Sequence, residues 1–183
     1  MNKLQLRKLL ENYRTPFEEE SLFISDFIAL THDDLAFSRQ RVQGHFTASA
    51  WIVNRRRTHA LMTHHRKLNR WLQLGGHADG NENLLEVAMK EAREESGLNS
   101  LRIVDVSIFD IDRHIIPANQ KDPEHFHYDV RFLIEASIDE PLVISPESKD
   151  LAWVPYETVE DLVGNQPSIL RMLEKTSKSQ LAI

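Results

Sequence analysis

The residues of this 183-residue chain that most clearly predict chemistry are three glutamates in one short segment. Glu91, Glu94 and Glu95 stand at positions i, i+3 and i+4, so a helix would project all three carboxylates from one side. Like charges at this spacing repel one another, and a solvated helix gains nothing from them. Mg²⁺ or Mn²⁺ would relieve the repulsion, because these hard cations bind carboxylate oxygens and bring phosphate oxygens with them. The spacing therefore predicts a divalent-metal site that acts on phosphorylated molecules.

The sequence around these glutamates marks the helix that must position them. Asn83 followed by Glu86 is typical of a helix N-cap and its reciprocal partner three residues later. Gly97 suits the left-handed residue that ends a helix. Aliphatic residues between these ends supply a stripe for burial, namely Leu84, Leu85, Val87, Ala88 and Ala92. We therefore expect a loop, a helix and a second loop, with the acidic face free to bind metal.

The whole segment 76–98 reads GHADGNENLLEVAMKEAREESGL and resembles the Nudix box, G-x5-E-x7-R-E-U-x-E-E-x-G-U, in which U is aliphatic. The resemblance implies the α/β/α Nudix sandwich with a mixed sheet, and hydrolysis of a diphosphate linkage in a nucleoside diphosphate joined to another moiety. It also implies the ligands of Mg²⁺ or Mn²⁺, which are Glu91, Glu94, Glu95, the carbonyl of Gly76, and Glu82 through water. The pattern's arginine is replaced by Lys90, which keeps the charge but lacks the planar bidentate fork.

The same resemblance implies how these residues would act. A bound metal ion would neutralise the diphosphate and lower the pKa of a water molecule. Glu91 is the first candidate for orienting or deprotonating that water, and Lys90 would position Glu91 or balance its charge. Some Nudix enzymes carry the base in a later loop, where Glu147 is the candidate in this chain. The alternative role of Glu147 is that of a surface carboxylate.

Residues outside the box would select the substrate. Arg66 and Arg70 lie near the box in the sequence and are candidates for phosphate contact. Trp71 could stack on a nucleobase, since aromatic faces bind any base, although a position in the core is the alternative. The three arginines at 55–57 are interpreted as a solvated turn.

Nine histidines are many for a chain of this length, and imidazole is the commonest metal ligand among side chains. Two stretches, HFTASAWIVN at 45–54 and GGHADGNE at 75–82, look like those that hold metal-binding histidines in the isopentenyl-diphosphate isomerases, a branch of the Nudix proteins. The resemblance implies a second site, for a divalent transition metal ion, formed by His45, His77, His125 and His127. The last two stand in place of two isomerase glutamates. The alternative is that they lie at the surface or contact substrate, and that His77 caps the glycine loop.

One residue of the isomerases' pattern, a cysteine, is missing from this chain. Their cysteine beside the loop histidine is Gly75 here, and the chain contains no cysteine. Protonation chemistry that needs a thiol is therefore excluded. The remaining histidines match no role and are interpreted as surface residues, namely His32, His59, His64, His65 and His114.

Composition limits the partners and the location. The formal net charge of −6 disfavours long nucleic acid, but it permits a small phosphorylated substrate once a metal ion is bound. No apolar run is long enough to span a membrane, and a chain without cysteine forms no disulfide. We therefore expect a cytoplasmic enzyme, with a homodimer as its candidate assembly.

Hydrophobic periodicity divides the chain into an N-terminal helical extension, 1–40, and a Nudix domain, 41–183. A strand is predicted over 101–113, and a terminal helix over 167–175 is followed by a frayed tail over 176–183.

Two functions are alternatives to hydrolysis. An isoprenoid-diphosphate isomerase-like enzyme is disfavoured by the missing cysteine. A catalytically silent ligand-sensing domain is disfavoured because all four box glutamates are kept, and clustered carboxylates are costly without metal.

Overall fold

The structure is a computed structural model that describes residues 1–120 and 122–179. Five helices and eight strands in these residues confirm the predicted mixed α/β class. The helices are α1 (Lys3–Asn12), α2 (Glu18–Leu30), α3 (Leu84–Ser96), α4 (Tyr156–Val163) and α5 (Pro167–Ser179). The strands are β1 (Gly44–Asn54), β2 (His59–His65), β3 (Arg70–Leu72), β4 (Leu74–His77), β5 (Arg102–Ile103), β6 (Asp110–Ile116), β7 (His125–Ala136) and β8 (Ser148–Pro155). In the part of the chain described, no helix combines the length and hydropathy that a membrane span requires.

The chain divides into two compact units. The first unit contains Met1–Ser49, Gly75–Ala88 and Val106–Phe132, and the second contains Ala50–Leu74, Met89–Asp105 and Leu133–Ile183. Four elements, β1, β4, β7 and α3, contribute residues to both units.

In the first unit, the segment predicted as an N-terminal helical extension contains two helices, α1 and α2. A capping box starts α1, because the Asn2 side chain accepts from the backbone N–H of Gln5 and the Gln5 side chain accepts from that of Asn2. The apolar faces of α1 and α2 are buried, with Leu6, Leu10 and Phe27 fully inside. Because α2 packs on β6, the N-terminal segment forms part of the core of this unit.

The strands of the first unit are built around β7, which neighbours β1 and pairs antiparallel with β6. The predicted strand over 101–113 is interrupted. The backbone N–H of Val104 donates to the carbonyl of Leu133, and that of Phe109 donates to the carbonyl of Arg131. An advance of five positions along this segment therefore matches only two positions along β7. The segment 105–108 therefore loops out of the ladder and leaves β5 and β6 as separate strands.

In the second unit, β2 pairs antiparallel with β1, β3 and β8, and two helices follow β8. The predicted tail is wrong over 176–179, because α5 continues to Ser179. Thr176 is fully buried, and its hydroxyl accepts a hydrogen bond of 2.9 Å from the indole N–H of Trp51. That buried bond supports the last turns of the helix. The rest of the predicted tail, 180–183, lies outside the described residues.

Candidate active site and metal centre

A stripe of polar side chains crosses three strands of the first unit. Side chains that alternate along a strand share one face, and here the alternate residues are polar. They are His45, Thr47 and Ser49 on β1; His125, His127, Asp129 and Arg131 on β7; and Asp110, Asp112 and His114 on β6. The β6–β7 register places His114 opposite His127 and Asp112 opposite Asp129. One end of the stripe is therefore histidine-rich and the other is charged.

The four histidines predicted as a second metal site lie together. Ring centroids of His77, His125 and His127 are 5.3, 5.2 and 5.1 Å from that of His45. The Nε2 atom of His127 lies 3.2 Å from Nε2 of His77 and 3.3 Å from Nε2 of His125. Single ligand atoms of His45, His77 and His127 all lie within 4.8 Å of one another, which is a spacing that could hold a metal ion.

Backbone carbonyls orient two of these rings. The Nδ1 atom of His125 lies 2.8 Å from the carbonyl of Pro123, and Nδ1 of His45 lies 3.5 Å from that of Arg41. A carbonyl only accepts, so in each neutral ring Nδ1 carries the proton and Nε2 keeps its lone pair. His45 is 3% exposed, and its Nε2 atom has no hydrogen-bond partner among the described residues. The buried lone pair of His45 is therefore left for a ligand.

The surroundings keep three of these histidines, His45, His77 and His127, uncharged. The pKa of His77 is lowered to about 4, chiefly by burial and in addition by the nearby Arg39 and His45. Burial also lowers the pKa of His127 to about 2, with neighbouring histidines adding to the effect. The pKa of His45 is lowered chiefly by burial. At neutral pH these imidazoles are neutral, which is the form that binds metal.

The charged end of the stripe is a buried ionic network. The Arg131 guanidinium contacts Asp129 at 2.8 Å, Asp110 at 3.1 Å and Asp112 at 3.3 Å. Asp129 also accepts hydrogen bonds from Thr47 at 3.0 Å and from a serine hydroxyl of β1 at 2.9 Å. These contacts fix the strands beneath the histidines and raise the pKa of Arg131 against the effect of its burial.

The loop that carries the first box glutamate is tied to the N-terminal segment. The carboxylate of Glu82 accepts from the backbone N–H of Lys3 at 2.9 Å, which satisfies a donor at the start of α1. A bidentate ion pair joins Arg39 to Asp79, with N···O distances of 2.6 and 2.7 Å. Residues 1–40 thus contribute directly to the position of the box loop.

The glycine loop of the box begins on a strand. Gly76 and His77 belong to β4, which pairs with β1. A Cβ atom at Gly75 would lie 2.4 Å from the hydroxyl of Ser49 and 2.6 Å from the carbonyl of Ala48. Only glycine permits this close approach, so the fold itself accounts for the residue found where the isomerases have cysteine.

The other box glutamates lie on α3, as the sequence predicts. The Asn83 side chain accepts from the N–H of Glu86 at 3.3 Å, and Gly97 ends the helix with φ of 72°. In the second unit, the Lys90 ammonium lies 3.3 Å from a Glu91 carboxylate oxygen and 3.1 Å from one of Glu94. Glu94 and then Glu91 raise the pKa of Lys90, so this lysine stays charged and balances the two carboxylates. The third glutamate of this group, Glu95, is buried, with 7% of its surface exposed.

The other predicted residues also belong to the second unit. The Arg66 guanidinium donates to the carbonyls of Pro146 and Ser148, at 3.0 and 2.7 Å. These bonds hold the loop that contains Glu147, whose side chain is exposed. Trp71 stacks on His64 with ring centroids 5.2 Å apart and an interplanar angle of 13°. Arg70, at the start of β3, is exposed.

Four stripe residues that were not predicted lie in segments whose polar residues alternate. Asp112, His114, Asp129 and Arg131 lie in DIDRH at 110–114 and HFHYDVR at 125–131, where polar residues occupy every second position. Two strands with this period place their polar residues on one face. His114 is therefore not an isolated surface residue, because its ring lies 5.5 Å from that of His127.

The family and structural comparisons agree on one group of proteins. The family model described as NUDIX domain matches residues 44–173. A C. elegans Ap4A hydrolase in a binary complex is similar to this chain at 17% identity and a TM-score of 0.60, covering 75% of this chain and 98% of the other. A NUDIX family hydrolase from Clostridium perfringens is 24% identical, with a TM-score of 0.58 and coverage of 73% and 96%.

A MutT NUDIX hydrolase from Burkholderia pseudomallei is 20% identical, with a TM-score of 0.56 and coverage of 73% and 98%. These structures share the fold that the box resemblance implies. No curated protein matches the sequence. The match over residues 44–173 and the box on α3 show that the chain belongs to the Nudix hydrolases, the family of enzymes that cleave pyrophosphate bonds in nucleoside diphosphate derivatives.

Proposed function

We propose that this Nudix hydrolase cleaves the diphosphate linkage of a small nucleotide-type substrate with Mg²⁺ or Mn²⁺ held by Glu91, Glu94 and Glu95. The proposal rests on one observation: these three carboxylates lie at positions i, i+3 and i+4 in the C-terminal half of a single helix, α3. A divalent ion bound there would activate water and neutralise the diphosphate. The carboxylate oxygens are the donor type that these hard ions prefer.

Lys90 and Glu91 have complementary roles in this proposal. The Lys90 ammonium touches the carboxylates of both Glu91 and Glu94, so it spaces them and partly offsets their repulsion. Lys90 is a point charge with three rotatable donors and can bridge two acceptors, although it lacks the fixed fork of arginine. We assign Glu91 to the orientation or deprotonation of water, and Lys90 to the positioning of Glu91.

A loop carboxylate is the alternative base. Glu147 precedes β8 in an exposed loop, and its backbone carbonyl accepts from the N–H of Arg66 at 2.8 Å. With the guanidinium bonds to Pro146 and Ser148, Arg66 restrains the loop through three hydrogen bonds to its carbonyls. Arg66 is therefore proposed to position Glu147, whereas Arg70 and Trp71 on β3 remain the candidates for contact with phosphate and base.

The test is product release across a panel of diphosphate compounds, measured with Mg²⁺ or Mn²⁺. The names of similar solved structures justify including dinucleoside polyphosphates and pterin triphosphate beside nucleoside triphosphates, nucleotide sugars and isoprenoid diphosphates. Glu91→Gln is the inactive comparison, and Glu86→Gln, on the first turn of the same helix, is the matched control. Hydrolysis that Glu91→Gln lacks and Glu86→Gln retains supports the proposal. Hydrolysis that survives in Glu91→Gln contradicts the assignment, and turnover of isoprenoid diphosphate by isomerisation would favour the alternative function.

A second cofactor is favoured by the histidine cluster. Four ligands placed about 2.0–2.1 Å from an ion at tetrahedral angles lie about 3.3–3.4 Å from one another. The Nε2 atoms of His77 and His125 lie 3.2 and 3.3 Å from that of His127, close to this spacing. His45 adds a buried Nε2 lone pair without a partner among the described residues. We propose that the four histidines bind a divalent transition metal ion, because neutral imidazole suits zinc, iron, cobalt and nickel better than magnesium.

Elemental analysis of the purified protein tests the second cofactor. The chain as expressed should retain a transition metal through dialysis, and His45→Ala should lose it. His32→Ala is the control, since His32 is exposed and lies apart from the cluster in the sequence. Equal metal content in His45→Ala and His32→Ala would overturn the proposal.

A further inference from the structure

We propose that His114 is a further ligand of the histidine centre and closes it on the solvent side, with Asp112 as the residue that positions it. This inference rests on the proposed binding of a transition metal by the four histidines. His114 lies on β6 directly opposite His127 on β7. Its ring meets that of His127 edge to face, with centroids 5.5 Å apart and planes at 68°.

The hydrogen bond of His114 fixes which nitrogen is available. Its Nδ1 atom lies 3.1 Å from a carboxylate oxygen of Asp112. A carboxylate only accepts, so Nδ1 carries the proton and Nε2 of the neutral ring presents a lone pair. His45 and His125 are oriented in the same way through their Nδ1 atoms by backbone carbonyls. A metal-binding histidine almost always donates its other ring N–H in this manner.

Asp112 is itself held in place. The oxygen that accepts from His114 also lies 3.3 Å from the guanidinium of Arg131, whose side chain is 2% exposed. Arg131 in turn contacts Asp110 and Asp129, both buried. A rigid chain of contacts therefore runs from the buried arginine through Asp112 to His114.

Exposure separates His114 from His45, which lies at the buried side of the cluster. Its side chain is 41% exposed, whereas His45 is 3% exposed. A ligand at the solvent edge is the one that water or an anionic substrate would approach first. His45 therefore binds the ion from the buried side, and His114 contacts it from the side that solvent reaches.

The test uses Co²⁺ as the probe, titrated against a competing chelator in excess Mg²⁺ that occupies carboxylate sites. His114→Ala should bind Co²⁺ at least about 10-fold more weakly than the unchanged protein, and Asp112→Asn about 10–100-fold more weakly. The visible absorption of bound Co²⁺, which reports the number of ligands, should change in His114→Ala. Free imidazole should restore the original spectrum, which it would not do if His114 had only a packing role.

The controls distinguish a failure of this inference from a failure of the proposed four-histidine metal site. His32→Ala should bind Co²⁺ unchanged. If His45→Ala also binds Co²⁺ unchanged, the histidine centre itself is refuted. If His45→Ala loses Co²⁺ but His114→Ala matches His32→Ala in affinity and spectrum, the centre stands and the role of His114 is refuted. Circular dichroism of each variant confirms that the fold is retained.

Discussion

Removing the buried arginine of the polar stripe should destabilise the protein strongly. In Arg131→Met, the carboxylates of Asp110, Asp112 and Asp129 would lose the guanidinium that contacts them at 2.8–3.3 Å. Asp110 is fully buried and Asp129 is 2% exposed, so water replaces little of that interaction. Breaking a buried ion pair by removing one partner costs about 3–5 kcal/mol, because the other charge stays buried and uncompensated.

The expected change in thermal stability follows from the size of the chain. At about 2.1 cal/mol/K of unfolding entropy per residue, 183 residues give about 0.4 kcal/mol/K. A loss of about 3–5 kcal/mol therefore lowers Tm by about 8–13 °C. Differential scanning calorimetry at pH 7.5 measures this shift, and urea unfolding gives the free energy directly.

The control and the pH dependence make this prediction specific. Arg102→Met removes an exposed partner of Glu135, at 2.8 Å, and should cost no more than about 1 kcal/mol. In Arg131→Met, like charges would lie together in the interior without the guanidinium, so uptake of protons should favour the fold. The deficit should therefore shrink as the pH falls toward about 4.5. A Tm shift no larger than that of Arg102→Met, or a deficit that grows on acidification, would refute the reasoning.

Two further predictions concern the second unit. The pKa of Glu140 is lowered to about 2 by hydrogen bonds from Ser100 and Asn99, so its contribution to stability is full above pH 4.5 and is lost as the pH falls toward 2. Urea midpoints of Glu140→Gln should lie below those of the unchanged protein at pH 6 and converge with them only as the pH approaches 2; a constant difference would contradict this. Thr176→Val leaves the buried indole N–H of Trp51 without its acceptor and should cost about 1–3 kcal/mol of unfolding free energy. A neutral result would show that α5 does not need this bond.

The sequence predicts the box helix well because its signals are local. The cap at Asn83, the aliphatic stripe and Gly97 act within a few residues of one another, and α3 forms between them. The strand over 101–113 was predicted as continuous, which is wrong, because its interruption depends on pairing with the distant β7. The burial of Thr176 likewise depends on Trp51, which is far away in the sequence.

The resemblance predicts the histidine cluster, and the structure contains it. The neighbouring residues Asp112 and His114 are not predicted from the sequence. His45, His77, His125 and His127 come from three strands. Alternation along one strand shows which residues share a face, but it does not show which strands are neighbours. The pairing of β6 with β7 supplies that information and brings Asp112 and His114 to the histidines.

Several predictions await measurement. The division into an extension and a domain, the cytoplasmic location and the homodimer remain predictions. The contacts of Glu82 with Lys3, and of Asp79 with Arg39, show that the N-terminal segment supports the box loop.

The most direct test of the central claim is the hydrolysis rate of Glu91→Gln with Mg²⁺ on whichever diphosphate the unchanged enzyme cleaves. The substitution removes one carboxylate charge and keeps the size of the side chain. If Glu91 orients or deprotonates the attacking water, kcat should fall by about 10²–10⁴-fold while Tm changes little. A kcat within a few-fold of the unchanged enzyme would contradict the assignment and shift attention to Glu147.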